Sequence, residues 1–213
     1  MILLALSDIH GRLGNLEKII SLIHNKGVEL VLVAGDFTNY GTKEQTKEAL
    51  GMLKGLKVMA VPGNLDAEEV LKALEEEKVS LHAKRECFGN LCFAGFGGGL
   101  EGNPGALLSS EEAIKEGLLR NCRCKNKLVL LTHLPPFGTR LDNAGGKHIG
   151  SRAVKAVVEK IGPMLLLCGH AHESFGEQKI GKTQCINIGA VKDGKAVLVK
   201  IGKSEFEWER IQV

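Results

Sequence analysis

Seven side chains that can bind metal ions follow apolar segments of this chain, each just after its segment ends. The segments are short and rich in Val, Ile and Leu, a pattern typical of strands buried on both faces. In open α/β sheets, ligands bind outside the carboxyl ends of the strands, so we expect these side chains to lie together. They are Asp8, His10, Asp36, Asn64, His133, His170 and His172.

Carboxylate, imidazole and amide oxygen without a thiolate suit Mn²⁺, Fe, Zn²⁺, Ni²⁺ or Co²⁺ rather than a soft cation. The set is larger than one tetrahedral ion needs, so we expect two divalent ions about 3.5–4 Å apart, with Mn²⁺ the first choice. Asp36 is predicted to bridge them, because a carboxylate can place one oxygen on each ion. A water held by both ions would become hydroxide near neutral pH and attack phosphorus in line. Seven buried polar groups without a metal would instead leave several of them desolvated.

The elements that must position these ligands alternate between strand and helix over most of the chain. Strands are predicted at Ile2–Ser7, Glu29–Ala34, Lys57–Val61, Leu128–Thr132, Met164–Cys168, Ser174–Ile180, Thr183–Ile188, Lys192–Ile201 and Glu205–Ile211, and a hairpin around Gly89-Asn90. Helices are predicted at Leu13–Lys26, Lys43–Leu53, Ala67–Glu77, Ser109–Arg120 and Arg152–Ile161. The predicted caps are Thr42, Asp66 with Glu69 in a capping box, Ser109 with Glu112, and Ser151.

Strand–helix units need parallel pairing, whereas the last strands form a meander that needs antiparallel pairing. Two mixed β-sheets packed face to face, with helices on both outer faces, satisfy both patterns. Nothing in the composition divides the 213 residues, so we expect a single α/β domain over residues 1–213.

The composition favours a soluble protein that acts on a small molecule. The net charge is only +3, and basic residues alternate with acidic ones along the predicted helices, which argues against a nucleic-acid surface. No apolar run approaches the roughly 18 residues of a membrane span. The chain begins with a strand-like run and no basic leader, so we expect a cytoplasmic protein. A homodimer is compatible with the sequence.

The six cysteines lack the spacing of a secreted disulfide framework, so most are expected to be free thiols. Cys168 falls within a strand and is predicted to be a small buried hydrophobe. A two-residue turn at Gly89-Asn90 would place Cys87 opposite Cys92, within reach of a disulfide that a reducing compartment disfavours. A four-thiolate zinc site with Cys122 and Cys124 is the remote alternative, because CxC is shorter than the usual spacing.

The ligand motifs together resemble those of the calcineurin-like metallophosphoesterases. Asp8-Ile-His10-Gly11, Gly35-Asp36, Gly63-Asn64, His133 and Gly169-His170-Ala171-His172 occur in the family's order over residues 8 to 172. The stretch Thr132-His133-Leu134-Pro135-Pro136 is similar to that of the small single-domain phosphodiesterases. The resemblance implies a four-layer sandwich of two mixed sheets and outer helices. It also implies that Asp8, His10, Asp36 and His172 hold one ion, and that Asp36, Asn64, His133 and His170 hold the other.

One position departs from the family pattern. Many members have His after Gly-Asn, where it protonates the leaving oxygen, but this chain has Leu65. The loss of that acid could lower the rate by about 10²–10⁴ for a poor leaving group. Asp66, the usual partner of that His, is then expected to serve only as a helix cap.

Other residues could complete the site. His148 lies in the 137–150 loop and is a candidate proton donor and phosphate contact, although a loop His is commonly just solvated. Arg140 is a candidate phosphate clamp because of its planar fork. Asn64 is predicted to act in catalysis and substrate binding besides binding metal. Gly97–Gly99 could line the pocket, but the simpler interpretation is a turn.

The sequence therefore predicts a metal-dependent phosphoesterase, most simply a phosphodiesterase acting on small phosphate esters. Two alternatives remain. A non-catalytic scaffold of the same fold would be expected to have lost ligands, and only Leu65 favours it. A nuclease would need a basic groove, with DNA binding that depends steeply on salt.

Overall fold

The computed structural model describes residues 1–202 and 205–213, which form fifteen strands and five helices. The strands are β1 (Ile2–Leu6), β2 (Leu30–Ala34), β3 (Lys57–Val61), β4 (Lys84–Phe88), β5 (Leu91–Phe96), β6 (Gly99–Leu100), β7 (Leu108–Ser109), β8 (Lys127–Thr132), β9 (Asn143–Ala144), β10 (Lys147–His148), β11 (Leu165–Cys168), β12 (Gly176–Ile180), β13 (Thr183–Asn187), β14 (Lys195–Ile201) and β15 (Phe206–Gln212). The helices are α1 (Leu13–Ile23), α2 (Lys43–Met52), α3 (Glu68–Glu76), α4 (Glu111–Asn121) and α5 (Arg152–Ile161).

Eleven of these strands build two mixed sheets. The first has the order β15-β14-β1-β2-β3, and the second has the order β12-β13-β11-β8-β5-β4. In the first sheet β1, β2 and β3 are parallel, and β14 and β15 add antiparallel pairs. In the second, β5, β8, β11 and β13 are parallel, and the edge strands β4 and β12 are antiparallel. The predicted meander is divided, because β12 and β13 join the second sheet while β14 and β15 return to the first.

Alternate residues along each central strand pack on opposite sides of its sheet, so three apolar layers separate four structural layers. The middle layer lies between the sheets and includes Leu3 and Leu32 from the first sheet and Phe93, Val129 and Leu167 from the second, all fully buried. A strand in such a sheet is covered on both faces, which explains its continuous apolar run.

The helices cover the two outer faces. Leu16 and Ile19 of α1 and Leu74 of α3 pack against the outward side chains of the first sheet. On the second sheet, Leu118 of α4 and Val157 of α5 fill the equivalent layer. The predicted α/β architecture, with two mixed sheets face to face and helices outside, is confirmed.

Element boundaries differ from the prediction where turns begin. The first helix ends at Ile23, three residues before the predicted Lys26, because the chain turns there and Gly27 takes a φ of +66°. The strand predicted from Lys192 begins at Lys195, because a 3₁₀ turn precedes it. The segments expected to be loops also contain short ladders, β6 with β7 and β9 with β10.

The structure joins Cys87 to Cys92, which pair directly across β4 and β5. The bond that the sequence left undecided is therefore present, since the Gly89-Asn90 turn fixes a register that brings the two residues face to face. The bond also removes two of the four thiolates of the zinc alternative. Cys122, Cys124, Cys168 and Cys185 are free.

Helix caps agree with the sequence at two of the predicted sites. Gln45 Oε1 accepts a hydrogen bond from Thr42 N at 3.0 Å, as expected of a capping box. Ser151 Oγ accepts from Val154 N at 3.1 Å. The cap of α4 is Ser110 rather than the predicted Ser109, one residue later. Among the described residues, no helix is long and apolar enough to cross a bilayer.

A side chain of α4 also caps α5. Glu111 accepts hydrogen bonds from Arg152 N and Ala153 N, both at 2.8 Å, and from Ser151 Oγ at 2.5 Å. Three donors at the start of one helix are thus satisfied by a carboxylate from another, and the negative charge lies at the positive end of the α5 dipole.

We predict that Glu111→Ala lowers the free energy of unfolding by about 1.5–3 kcal/mol, because it leaves these donors without their charged acceptor. Glu112→Ala is the matched control, since Glu112 is exposed in the same turn, and should change stability by less than about 0.5 kcal/mol. Urea unfolding followed by circular dichroism measures both. Equal effects of the two variants would contradict the capping role.

Candidate metal centre

All seven predicted ligands lie at the edge where the carboxyl ends of the parallel strands meet. Asp8, Asp36 and Asn64 follow β1, β2 and β3 of the first sheet, while His133 and His170 follow β8 and β11 of the second. His172 begins a 3₁₀ turn two residues further on. Close contacts join the seven side chains into one cluster.

One half of the cluster contains Asp8, His10 and His172. Asp8 Oδ1 lies 2.9 Å from His172 Nε2 and 3.6 Å from His10 Nε2, and the two imidazole nitrogens are 3.3 Å apart. These three ligand atoms lie within 4.8 Å of one another, close enough for one ion. Asp8 Oδ2 faces away and accepts from Ser7 Oγ at 2.5 Å and His170 N at 3.0 Å.

The other half contains Asp36, Asn64, His133 and His170. His133 Nε2 lies 3.0 Å from Asn64 Oδ1 and 3.7 Å from Asp36 Oδ2. The rings of His133 and His170 meet edge to face with centroids 4.9 Å apart. Asp36 connects the halves, because its Oδ2 is also 3.8 Å from His10 Nε2.

Partners on the far side of two imidazoles determine which nitrogen faces the cluster. His133 Nδ1 lies 2.7 Å from Ala34 O, and His10 Nδ1 lies 2.6 Å from Asn39 Oδ1, so in both rings Nδ1 must donate. When such a ring is neutral, as metal binding requires, its Nε2 carries a lone pair that faces the cluster. Asn64 Nδ2 donates to Pro104 O at 3.1 Å, so its Oδ1 also faces inward as an acceptor.

Acceptors therefore face acceptors across a short distance. In the neutral ring with Nδ1 protonated, the lone pair of His133 Nε2 faces the lone pairs of Asn64 Oδ1 at 3.0 Å. A cation resolves this conflict, since it can accept electron pairs from both atoms. The donor set fits divalent cations on this ground.

Burial favours a raised pKa at both carboxylates, but their neighbouring groups act on the two pKa values in opposite directions. Burial raises the pKa of Asp36 well above its ordinary value, and the neighbouring Asp8 and Asp66 carboxylates raise it further. Burial would also raise the pKa of Asp8, but its hydrogen bonds with His10 and His172 hold that pKa well below the ordinary value. The pKa of His170 falls to about 3 because the ring is buried and lies beside His133. The two carboxylates therefore differ, since the pKa of Asp36 is raised and the pKa of Asp8 is lowered.

Glycines permit the close approach of the two sheets. A Cβ on Gly35 would come within 2.6 Å of Gly63 N and 2.8 Å of His133 Nδ1. A Cβ on Gly169 would overlap Ser7 Oγ and lie 2.5 Å from Asp8 Oδ2. The glycines that precede Asp36 and His170 are therefore required by space, and Gly35 by its conformation as well, since its φ is +92°.

Four of the ligands themselves have left-handed backbone, with φ of 55° at Asp8, 48° at His10, 52° at Asp36 and 68° at His170. Such conformations cost about 1–3 kcal/mol each for residues other than glycine and are concentrated at functional sites. The sharp bends direct these side chains away from the strand axes and into the common cluster.

Asp66 does not cap a helix, contrary to the sequence expectation. Residue Ala67 is the N-cap of α3, and no side chain caps that end. The buried Asp66 carboxylate instead accepts from Gly63 N at 2.8 Å, Phe37 N at 3.1 Å and Thr38 N at 3.0 Å. It thereby ties the turn after β2, which carries Asp36, to the turn that carries Asn64.

Leu65, at the position of the family's His, also contributes through its backbone. Its N–H donates to Asp36 Oδ1 at 2.9 Å, and its carbonyl accepts from Tyr40 N at 2.9 Å. Asp36 Oδ1 is thus already engaged, and Oδ2 is the oxygen that faces both His10 and His133.

The structure does not bring the other two predicted residues into contact with the ligand cluster. His148 Nδ1 bonds to the buried Asp142 Oδ1 at 2.8 Å, and its side chain is 46% exposed. Arg140 Nε donates to Glu177 O at 2.5 Å, and Arg140 lines an open pocket of about 570 Å³ with Glu173 and Arg210. Both roles stay predictions.

Asn39 and Ser7 support the ligands but were not recognised in the sequence. Asn39 lies three residues after Asp36, in a segment whose composition is typical of an ordinary turn. Ser7 has the position of the last residue of a strand. The sequence shows only that each is a polar residue close to a ligand motif. That proximity does not indicate where the side chain points.

Comparison with known proteins identifies the class. Residues 1–174 match the family model described as calcineurin-like phosphoesterase, and the chain belongs to this family. It is 28% identical over 196 residues to the uncharacterized protein MJ1162 of Methanocaldococcus jannaschii, covering 88% of this chain and 87% of that one.

Solved structures share the fold. TT1561 of Thermus thermophilus superimposes with a TM-score of 0.78 at 20% identity, covering 99% of both chains. A protein described as a novel archaeal phosphodiesterase gives a TM-score of 0.58 at 16% identity, covering 99% of this chain and 100% of that chain. The resemblance stated from the ligand motifs is confirmed.

We predict that Asp66→Asn lowers the free energy of unfolding by about 3 kcal/mol, because the amide group leaves buried N–H donors without a charged acceptor. A simple helix cap would be worth about 1 kcal/mol. Glu69→Ala, which removes the other member of the supposed capping box, should have an effect below about 0.5 kcal/mol. Chemical denaturation of the three proteins distinguishes the two roles. A loss near that of a cap for Asp66→Asn would restore the capping interpretation.

Proposed function

We propose that this chain is a dinuclear metal-dependent phosphodiesterase that hydrolyses small phosphate esters. Family membership supports a phosphoric ester hydrolase. The position of Asp36 supports a site for two ions, because its Oδ2 lies 3.8 Å from His10 Nε2 and 3.7 Å from His133 Nε2. One carboxylate oxygen is thus equally close to the two halves of the ligand cluster.

The donors favour the assignment of Asp8, His10, Asp36 and His172 to one ion and of Asp36, Asn64, His133 and His170 to the other. When bound, the two cations would lower the pKa of a shared water and neutralise charge on the phosphoryl oxygens. The protein's part is to hold its ligands rigidly. Ala34 O and Asn39 Oδ1 orient the imidazoles, and Leu65 N fixes the Asp36 carboxylate.

Asn64 has a second part in the proposal. Its side chain lies in the wall of a cavity that also contains His170, so it can contact a bound ester as well as an ion. Arg140 is proposed to attract an anionic substrate, because it lines an open pocket together with Arg210, and Glu173 of the same pocket is the neighbour of His172.

His148 is proposed as the proton donor to the leaving oxygen in place of the absent family His. Asp142, fully buried and also bonded to the N–H groups of Gly138 and Thr139, holds Nδ1 of the imidazole. In the doubly protonated imidazolium form of the ring, Nε2 also carries a proton and can donate it to a bound ester. The adjacent Ile149 lines the cavity that contains Asn64.

The proposal also covers the metal, the domain and the location of the protein. Mn²⁺ is the first choice of metal because hard oxygen ligands accompany the imidazoles. One domain over residues 1–213 is supported by an apolar layer drawn from both sheets. A cytoplasmic location and a homodimer stay predictions.

A non-catalytic scaffold is the alternative from another class. It is opposed by the seven ligands, which are all present and convergent. Metal titration separates the two, since a scaffold should bind neither two ions nor phosphate in competition with substrate. The nuclease alternative would show DNA binding that weakens steeply with salt.

We predict that metal-stripped protein is inactive and that Mn²⁺ restores hydrolysis of bis(p-nitrophenyl) phosphate. Asp36→Ala and His133→Ala should abolish turnover because they lower metal occupancy, which is measured by elemental analysis of the dialysed proteins. His24→Ala, at the exposed end of α1, is the matched control and should retain full activity. No turnover with any divalent metal would refute the enzymatic proposal, and an active, metal-replete Asp36→Ala would refute the ligand assignment.

We predict that His148→Ala slows hydrolysis most for substrates with poor leaving groups. A lost general acid should cost about 10²–10⁴ in kcat for an alkyl ester and far less for p-nitrophenolate, which leaves without a proton. The test compares kcat over a series of leaving groups for wild-type protein, His148→Ala and the control His24→Ala. An equal loss across the series would show that His148 is not the acid.

A further inference from the structure

A cavity of about 270 Å³ opens directly beside the ligand cluster. Asn64 and His170 form the wall on the metal side. The opposite walls are made by Leu100 and Pro104, from the segment that begins in β6, and by Leu134 and Ile149. Two predicted metal ligands therefore share one space with four apolar side chains.

The loop that carries Leu100 and Pro104 is fixed to a metal ligand. Asn64 O accepts from Ala106 N at 2.7 Å, and Asn64 Nδ2 donates to Pro104 O at 3.1 Å. A Cβ on Gly99 would lie 2.5 Å from Asn64 Cβ. The residue that presents its amide oxygen to the metal site thus also determines where the apolar wall stands. Gly99 lines the pocket, as one of the two sequence interpretations expected.

The chemistry of the walls limits what can enter. Among the described residues, the lining contains no Lys, Arg, Asp or Glu, and Asn103 is its one polar side chain besides Asn64 and His170. A second phosphate would find no cation in this part of the wall, so the backbone of a nucleic acid is a poor occupant. An apolar group would leave water for apolar surface, and a cavity of about 150 Å³ already accommodates benzene.

We propose that this cavity binds an uncharged aromatic or apolar ester group of the substrate while the phosphoryl group lies at the metal centre. The proposal rests on the proposed function, because the phosphate is placed by its ligands. It narrows the substrate class to phosphate esters with one substituent about the size of an aromatic ring.

The test compares binding of phenylphosphonate and methylphosphonate to manganese-loaded protein by isothermal titration calorimetry. These probes share the phosphonate head and differ only in the group assigned to the cavity. We expect wild-type protein to bind phenylphosphonate at least about tenfold more tightly. Leu100→Ala and Ile149→Ala should each reduce the preference severalfold. Leu107→Ala, on the same loop but outside the cavity lining, is the control and should retain it.

Equal affinity for the two probes in wild-type protein, binding of neither, or an unchanged preference in both cavity variants would overturn the proposal. The two variants lie on separate loops, so misfolding of one leaves the other as a test. Turnover separates this inference from the proposed function. If the protein hydrolyses esters but does not prefer phenylphosphonate, the proposed function stands and the proposed pocket is refuted. If it prefers phenylphosphonate but hydrolyses no ester, the pocket stands and the proposed function is refuted.

Discussion

Candidate metal-ligating atoms from both sheets converge on one small space. His10 and His133 each use Nδ1 as a donor toward the protein, and Asn64 uses its amide nitrogen in the same way. When these two rings are neutral, their Nε2 atoms and Asn64 Oδ1 are acceptors on the inner side, together with the carboxylates of Asp8 and Asp36. Since unpaired buried acceptors are costly, bound cations would stabilise this arrangement, and the surrounding structure holds its side chains in place.

The two-sheet architecture supplies that means. Parallel strands of each sheet end at a common edge, and the apolar layer between the sheets fixes one edge against the other. Hydrogen bonds cross the boundary beside the ligands, from His133 Nδ1 to Ala34 O and from His170 N to Asp8 Oδ2. The ligands of one sheet are therefore positioned partly by the other, and loss of register in either would displace both.

The convergence of the candidate ligands and the two sheets could be predicted, because both rest on local sequence patterns. Each ligand follows a continuous apolar run, and such a run has few alternatives to a central strand. Asp66 shows where local patterns fail. Asp-x-x-Glu before an amphipathic segment imitates a capping box, but the donors that Asp66 satisfies include Phe37 and Thr38, some thirty residues earlier in the chain. The role of Asn39 was missed for the same reason, since its partner His10 is remote in sequence. For Cys87 and Cys92 the turn predicted the facing pair, but spacing alone could not decide whether the bond forms.

The left-handed backbone at Asp8, His10, Asp36 and His170 has an evolutionary consequence. Glycine adopts this conformation freely, so replacement of one of these ligands by glycine would relieve strain at the moment it removed function. At these positions, substitutions that raise the stability of the fold are therefore opposed by selection for activity. In a descendant of this chain that is no longer selected for activity, these residues would be expected to be replaced first, with a gain in the free energy of unfolding.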